Sequence, residues 1–203
     1  MKVNHYFIMF LLSSLFTYSQ SESFPKSWFK DEPSKNLPYG RLSTSKIAPT
    51  NDFDKLIGVC DCKSVSRQAD GKWADTLSLK WRWKYIMNGN GVQDEGWFGN
   101  KDNPSYFTSI RSYDKTNKQW YVSYFTPNLS AIPSTWTGRK EDENIVLKRE
   151  TKTPNGKSAT SVLTFYNITH QGFNWEGKIE NPELPNGEYI FWKIFCEKQF
   201  SSN

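Results

Sequence analysis

Hydrophobic and polar positions alternate along much of this chain. The alternation is sharpest where Leu77, Leu79, Trp81, Trp83, Tyr85 and Met87 hold one parity and Ser78, Lys80, Arg82 and Lys84 hold the other. Successive side chains of an extended strand point to opposite faces, so this segment predicts a strand with one buried and one wet side. Comparable runs recur near 57–67, 75–87, 92–98, 105–113, 119–126, 134–141, 144–152, 158–169, 172–180 and 188–200. Between them stand turn-forming groups such as Ala69-Asp70-Gly71, Asn88-Gly89-Asn90-Gly91, Pro154-Asn155-Gly156 and Asn186-Gly187. This spacing predicts antiparallel hairpins. Up-and-down strands in that number need their edges hidden, and closure into a barrel removes the edges outright. An all-β, ten-stranded antiparallel barrel is therefore the expected fold, with a two-sheet sandwich as the alternative.

The chain ahead of the barrel reads differently. Residues 1–19 carry one early cation, Lys2, then an apolar run from Tyr6 to Phe16, then small or polar residues before Gln20. That is the pattern of a secretory signal peptide, and the run is short for a membrane span. The expected location is periplasmic or secreted, without membrane insertion once the signal is removed. Residues 20–51 form an arm with Pro25, Pro33, Pro38 and Pro49 among Lys, Ser and Asn, where regular structure is not expected. Its Phe24, Trp28, Phe29 and Tyr39 are more aromatic than a plain linker requires, so it either packs across the domain or its mouth or lies loosely ordered. The barrel domain is assigned to 52–203, opening with Asp52 as a helix cap and one turn over Phe53–Ile57.

Composition narrows the picture. Of 203 residues, 14 are Phe, 10 Tyr and 9 Trp, which supplies buried area that a disordered chain lacks, and a mean hydropathy of −0.72 excludes a polytopic membrane protein. The formal charge of +5 falls to +4 when Lys2 is removed, and the basic residues are scattered. A nucleic-acid partner is not expected, because such binders concentrate their cations in a patch. Of Cys60, Cys62 and Cys196, the first two lie two apart on one strand and share a face, so either could bridge to Cys196 in an oxidising compartment. Such a bridge would make the first and last long strands neighbours. After signal removal His170 is the single histidine, which excludes a multi-histidine metal centre. Phosphate-binding glycine loops, zinc-protease helices and serine elbows are absent from the sequence, and no cofactor is expected.

Four stretches carry a family resemblance: Trp83-Lys84-Tyr85-Ile86-Met87-Asn88-Gly89-Asn90-Gly91-Val92-Gln93-Asp94-Glu95, Ile110-Arg111-Ser112-Tyr113-Asp114 with Trp120 following, Thr137-Gly138-Arg139, and Phe173-Asn174-Trp175-Glu176-Gly177. In this order they resemble an uncharacterised lipocalin-like bacterial family over roughly Phe53 to Phe200, which implies a calycin-type barrel. In general character (secretion, arm, mild basicity, aromatic barrel) the chain also resembles the secreted oligosaccharide dehydratases of marine polysaccharide-utilisation systems. That second resemblance implies a hydro-lyase that removes water from the terminal uronic acid of an acidic oligosaccharide.

Such a reaction needs a base beside the carboxylate, an acid for the departing hydroxyl and a cation for the enolate. Tyr85, Tyr124 and His170 are the candidate proton carriers, and Arg111 with Arg139 or Gln93 the candidate grip on the carboxylate. A four-residue loop from Lys115 to Lys118 would set Tyr113 opposite Trp120, Arg111 opposite Val122 and Ser109 opposite Tyr124, all on one face. If that face is the lumen, Arg111 meets either a ligand acid or a protein carboxylate such as Asp94 or Glu95. Gln93 shares a parity with Trp97, while Asp94 takes the other; Trp97, Trp120 and Trp175 are candidate sugar-stacking rings. Two rival readings stand beside the enzyme: a non-catalytic lipocalin-like carrier of a small apolar molecule, and a carbohydrate-binding module that uses exposed aromatics.

Overall fold

The structure, a computed structural model, describes residues 24–45, 51–100, 102–128, 134–153 and 155–199. Residues 1–19, the expected signal peptide, lie outside them. Ten strands follow one another: β1 (Gly58–Ser66), β2 (Leu77–Ile86), β3 (Gly91–Asn100), β4 (Asn103–Asp114), β5 (Gln119–Phe125), β6 (Ser134–Glu141), β7 (Asn144–Lys152), β8 (Ser158–Tyr166), β9 (Gly172–Glu180) and β10 (Glu188–Lys198). Each pairs antiparallel with its sequence neighbour, and β1 pairs with β10, so the sheet closes on itself. The sandwich alternative is thereby set aside. Closure is reinforced covalently: Cys62 and Cys196 face each other in the β1–β10 register and form a disulfide, leaving Cys60 as a buried free thiol.

The two ends of the barrel are built differently. The β2–β3, β4–β5, β6–β7 and β8–β9 turns gather at one end, together with the start of β1. There a single 3-10 turn, Asp54–Leu56, carries Phe53 and Leu56 into the lumen, where they are 1% and 0% exposed. The Phe53 ring stacks on Trp83 with centroids 5.9 Å apart and meets Trp120 edge-on at 5.0 Å and Phe165 at 6.1 Å. Offset and edge-to-face rings fill space without opposing their charge distributions, so this end is solid. Asp52 is not the cap of this turn; its carboxylate instead accepts a hydrogen bond from the Trp120 indole at 2.9 Å.

The arm crosses the sealed end, not the mouth. The Tyr85 N–H donates to the Tyr39 carbonyl at 2.8 Å, the Ser43 N–H to the Gly89 carbonyl at 3.1 Å, and the Asp31 N–H to the Asn88 side chain at 2.8 Å. Asp31 is fully buried and accepts from Arg41 at 2.6 Å. Gly89 has φ +78°, and a β-carbon on it would sit 2.3 Å from the Ser43 nitrogen, so only glycine lets the arm lie on the turn. Over residues 24–45 the arm is irregular as expected, apart from one 3-10 turn over Lys26–Phe29 and an isolated bridge between Ser34 and Leu37.

Inward-facing parity follows the sequence through Leu79, Trp81, Trp83 and Tyr85, all buried. It fails at both ends of that series. Leu77 is 47% exposed where β2 begins at the rim, and Met87, with φ 54°, has left the strand for the turn.

Candidate functional site

Above the aromatic plug the lumen holds a cavity of about 290 Å³. Trp81, Phe107, Trp136, Leu163, Trp175 and Trp192 are among the residues of its wall, and its mouth lies toward Thr151, Ile179 and Phe191 at the end away from the plug. The wall also carries three charged side chains, Asp94, Arg111 and Arg149, and the phenol of Tyr124. Two cations against one anion leave the lining with a net charge of +1.

Asp94 and Arg111 form the floor. They sit 0% and 2% exposed, and the Arg111 Nη1 donates to Asp94 Oδ1 at 2.5 Å. The same carboxylate accepts from the Ser109 N–H at 3.1 Å and from the Trp81 indole at 2.6 Å. The guanidinium lies 4.4 Å over the Trp83 ring and 5.1 Å over Phe53. Of the two partners open to Arg111 from the sequence, the protein carboxylate is the one it meets. A buried cation held by a carboxylate and two ring faces is electrostatically compensated, although its Nε has no hydrogen-bond partner.

Arg149 is different. It follows Ile145 and Leu147 on the inward parity of β7 and stacks 4.2 Å over Trp136. Its Nε is buried without a hydrogen-bond partner, and among the described residues no carboxylate pairs with it. Burial pulls its pKa below the ordinary arginine value. Tyr124 responds in the opposite direction: burial first, then the Asp94 charge, holds its phenol above the usual tyrosine range, so it is a proton donor at neutral pH.

The mouth owes its shape to a register shift in β10 between Ile190 and Trp192. An extra residue there turns both Phe191 and Trp192 toward the cavity, the effect bulges produce at barrel rims. Gly177 makes room for it, since a β-carbon at that position would lie 2.8 Å from the Phe191 ring. Trp192 in turn meets Trp175 edge-on at 5.3 Å and donates from its indole to Ser64 at 2.7 Å.

The residues singled out in the sequence are partly assembled here. Arg111, Tyr124 and Trp175 line the cavity, and the Tyr113–Trp120, Arg111–Val122 and Ser109–Tyr124 pairs hold as expected. Tyr85 points inward but lies within the plug, donating to Asp54 at 3.2 Å; burial, then the Asp54 charge, pushes its pKa up. Trp120 is in the plug as well. His170 is exposed in the β8–β9 turn, at the end away from the mouth. Arg139 is exposed on β6. Gln93 and Trp97 share the outer face of β3, where Gln93 donates to Thr108 and Trp97 lies under Arg82 at 5.1 Å. Asp94, on the other parity with the buried Val92, is the residue of that strand that lines the cavity. Arg149 was not among the sequence candidates, although an arginine continuing the inward series Ile145, Leu147 was the signal that could have found it.

Among the described residues, no three His, Cys, Asp or Glu side chains gather as a metal site. No protein-family model matches this chain, and no curated protein matches it.

Proposed function

We propose that the chain is a secreted dehydratase that takes the terminal uronic acid of an acidic oligosaccharide into the barrel and removes water from it. The observation that carries this reading is a dead-ended cavity of about 290 Å³ whose aromatic wall contains two guanidiniums and a protonated phenol. That volume is at the lower limit for ligand sites, which suits one sugar residue entering end-on and not a chain passing through. The indoles of Trp81 and Trp175 offer apolar surface to the sugar, and the cations offset the charge that develops on the carboxylate. In the reaction, the carbon beside the carboxylate gives its proton to Asp94, the only carboxylate on the wall among the described residues. The electron pair left behind forms the carbon–carbon double bond, and the neighbouring hydroxyl leaves as water with the Tyr124 proton. Proton return from Asp94 to Tyr124 through solvent completes the cycle. A purely apolar carrier has no use for three charged side chains inside its lumen.

A second reading is favoured by one observation. Both Asp94 oxygens are already engaged, by Arg111, Ser109 and Trp81, which weakens the carboxylate as a base. A site that binds an acidic guest without turning it over needs no base.

Incubating the mature protein with oligosaccharides that end in a uronic acid separates the two. The enzyme generates ultraviolet absorbance from a new double bond without cutting the chain, and Tyr124→Phe lowers the rate by about 100-fold or more while the substrate still binds. Binding without absorbance across a broad panel makes the protein a carrier.

A further inference from the structure

We infer that Arg149 is the anion receptor of the lumen, and that its ligand is a compact monocarboxylate borne on a six-membered ring. The inference shares the cavity of the proposed dehydratase but does not depend on turnover.

The three charged groups of the wall divide into a closed pair and a remainder. Arg111 is matched by Asp94 at 2.5 Å, so the floor is neutral as a unit. Arg149 has no acid of its own, and outside the described residues the sequence contains a single acidic residue, Glu22. Keeping an unmatched cation beside a nonpolar cavity is costly, and a fold that needed only packing there would be served by leucine or methionine. The cost is offset when a guest brings the missing negative charge. One net positive charge fits a monoanion; a phosphate monoester would leave a second negative charge unmatched among indoles.

Geometry narrows the class further. The Arg149 guanidinium carbon lies 4.2 Å from the Trp136 ring centroid, a cation–π contact that restricts the side chain. A planar cation so held presents parallel N–H donors along its edge, the arrangement that a carboxylate meets with both oxygens. Trp81, Trp175 and Trp192 line the same cavity and offer apolar indole surface to a ring, and Ser161, paired with Arg149 in the β7–β8 register, adds a hydroxyl to the wall. Two sources share this chemistry, a terminal uronic acid and a free aromatic acid.

Calorimetric titration distinguishes them with four probes: methyl glucuronide and methyl glucoside, benzoate and benzamide. At least one acid binds the wild-type protein, and its neutral counterpart binds roughly 10- to 100-fold more weakly or not at all. Arg149→Met loses the same factor for the acid and leaves the neutral probe unchanged. Arg149→Lys, which keeps the charge without the planar fork, falls between. Thermal unfolding supplies a readout that a structural role would move in the other direction: without ligand, Arg149→Met is as stable as wild type or more so, because it removes a half-buried cation whose Nε has no partner. Should Arg149→Met fail to fold, the Arg149 Nε–H resonance of wild-type protein still reports the contact, shifting on titration with the acid and not with the amide or glucoside. Equal affinity of acid and neutral probes, undiminished acid binding by Arg149→Met, or no binding of either acid overturns the assignment. Acid binding without a new ultraviolet chromophore sinks the dehydratase and leaves Arg149 standing; turnover unaffected by Arg149→Met does the reverse.

Discussion

Phe53 and Phe191 both turn their rings into the same lumen, from opposite ends, with opposite results. Phe53 is 1% exposed and touches three other rings, so its end of the barrel contains no space for a guest. Phe191 is half-buried on a bulge, and beside it the barrel opens into the cavity. Hydrogen bonding does not separate the ends: in the plug Asp52 and Asp54 meet the Trp120 indole and the Tyr85 hydroxyl while the Trp83 indole has no partner, and around the cavity the Trp81 and Trp192 indoles are matched while the Arg149 Nε and the Trp136 indole are not. Aromatic residues thus serve two purposes in one barrel, as filling where ring packs on ring and as lining where the lumen is left open.

The largest effect expected on this contrast comes from truncating the plug. Phe53→Ala should cost about 4 kcal/mol, because it removes a fully packed ring and leaves a void that its neighbours cannot close. Phe191→Ala should cost about 1 kcal/mol, since its ring borders space that is already empty. Urea denaturation of the two variants measures both values; similar losses would mean that the cavity is not hollow in solution. Next in size is the floor between the two regions. Asp94→Asn strands the Arg111 charge at 2% exposure and should cost about 3 kcal/mol, while Asp94→Asn combined with Arg111→Met should recover most of that. A double variant no more stable than the single one would show that Arg111 owes its place to packing on Trp83 and Phe53, not to the ion pair.

How much of this could be read from residues alone follows from what strand periodicity encodes. A period of two fixes which residues share a face, and it correctly grouped Arg111 with Tyr113 and Ser109, and Gln93 with Trp97. It does not fix which face is inward. On β2 the apolar side settles that question, but on β3 Gln93, Glu95 and Trp97 lie outside while the charged Asp94 lies within beside Val92, compensated by Arg111 on the neighbouring strand β4. Nor does period report height along the barrel axis. Tyr85 and Tyr124 both face inward, yet one is locked into the plug and the other lines the cavity, a difference set by the Phe53 turn and the arm beneath it. Arg149 was hidden for a third reason: a single arginine in the polar-rich run Leu147-Lys148-Arg149-Glu150 reads as a solvated strand end until Trp136 is known to lie beneath it.

The smallest expected effect tests the comparison most finely, because Tyr85 has the credentials of a proton carrier and the position of a plug residue. Its hydroxyl donates to Asp54 at 3.2 Å, a long bond, so Tyr85→Phe should cost only about 1 kcal/mol. The pH dependence has a definite sign. Burial, and then Asp54, raise the folded-state pKa above the ordinary value near 10, so the folded protein holds this proton where the unfolded chain begins to release it. Stability from that proton is complete below about pH 10 and declines as pH rises beyond it. Wild type should therefore lose stability more steeply than Tyr85→Phe in alkaline denaturation, with the two curves parallel at neutral pH. Ligand affinity and any turnover should be unchanged, since the hydroxyl faces Asp54 and not the guest. A fall in turnover well beyond the small stability loss would move the reacting centre down into the plug and dissolve the division between filling and lining.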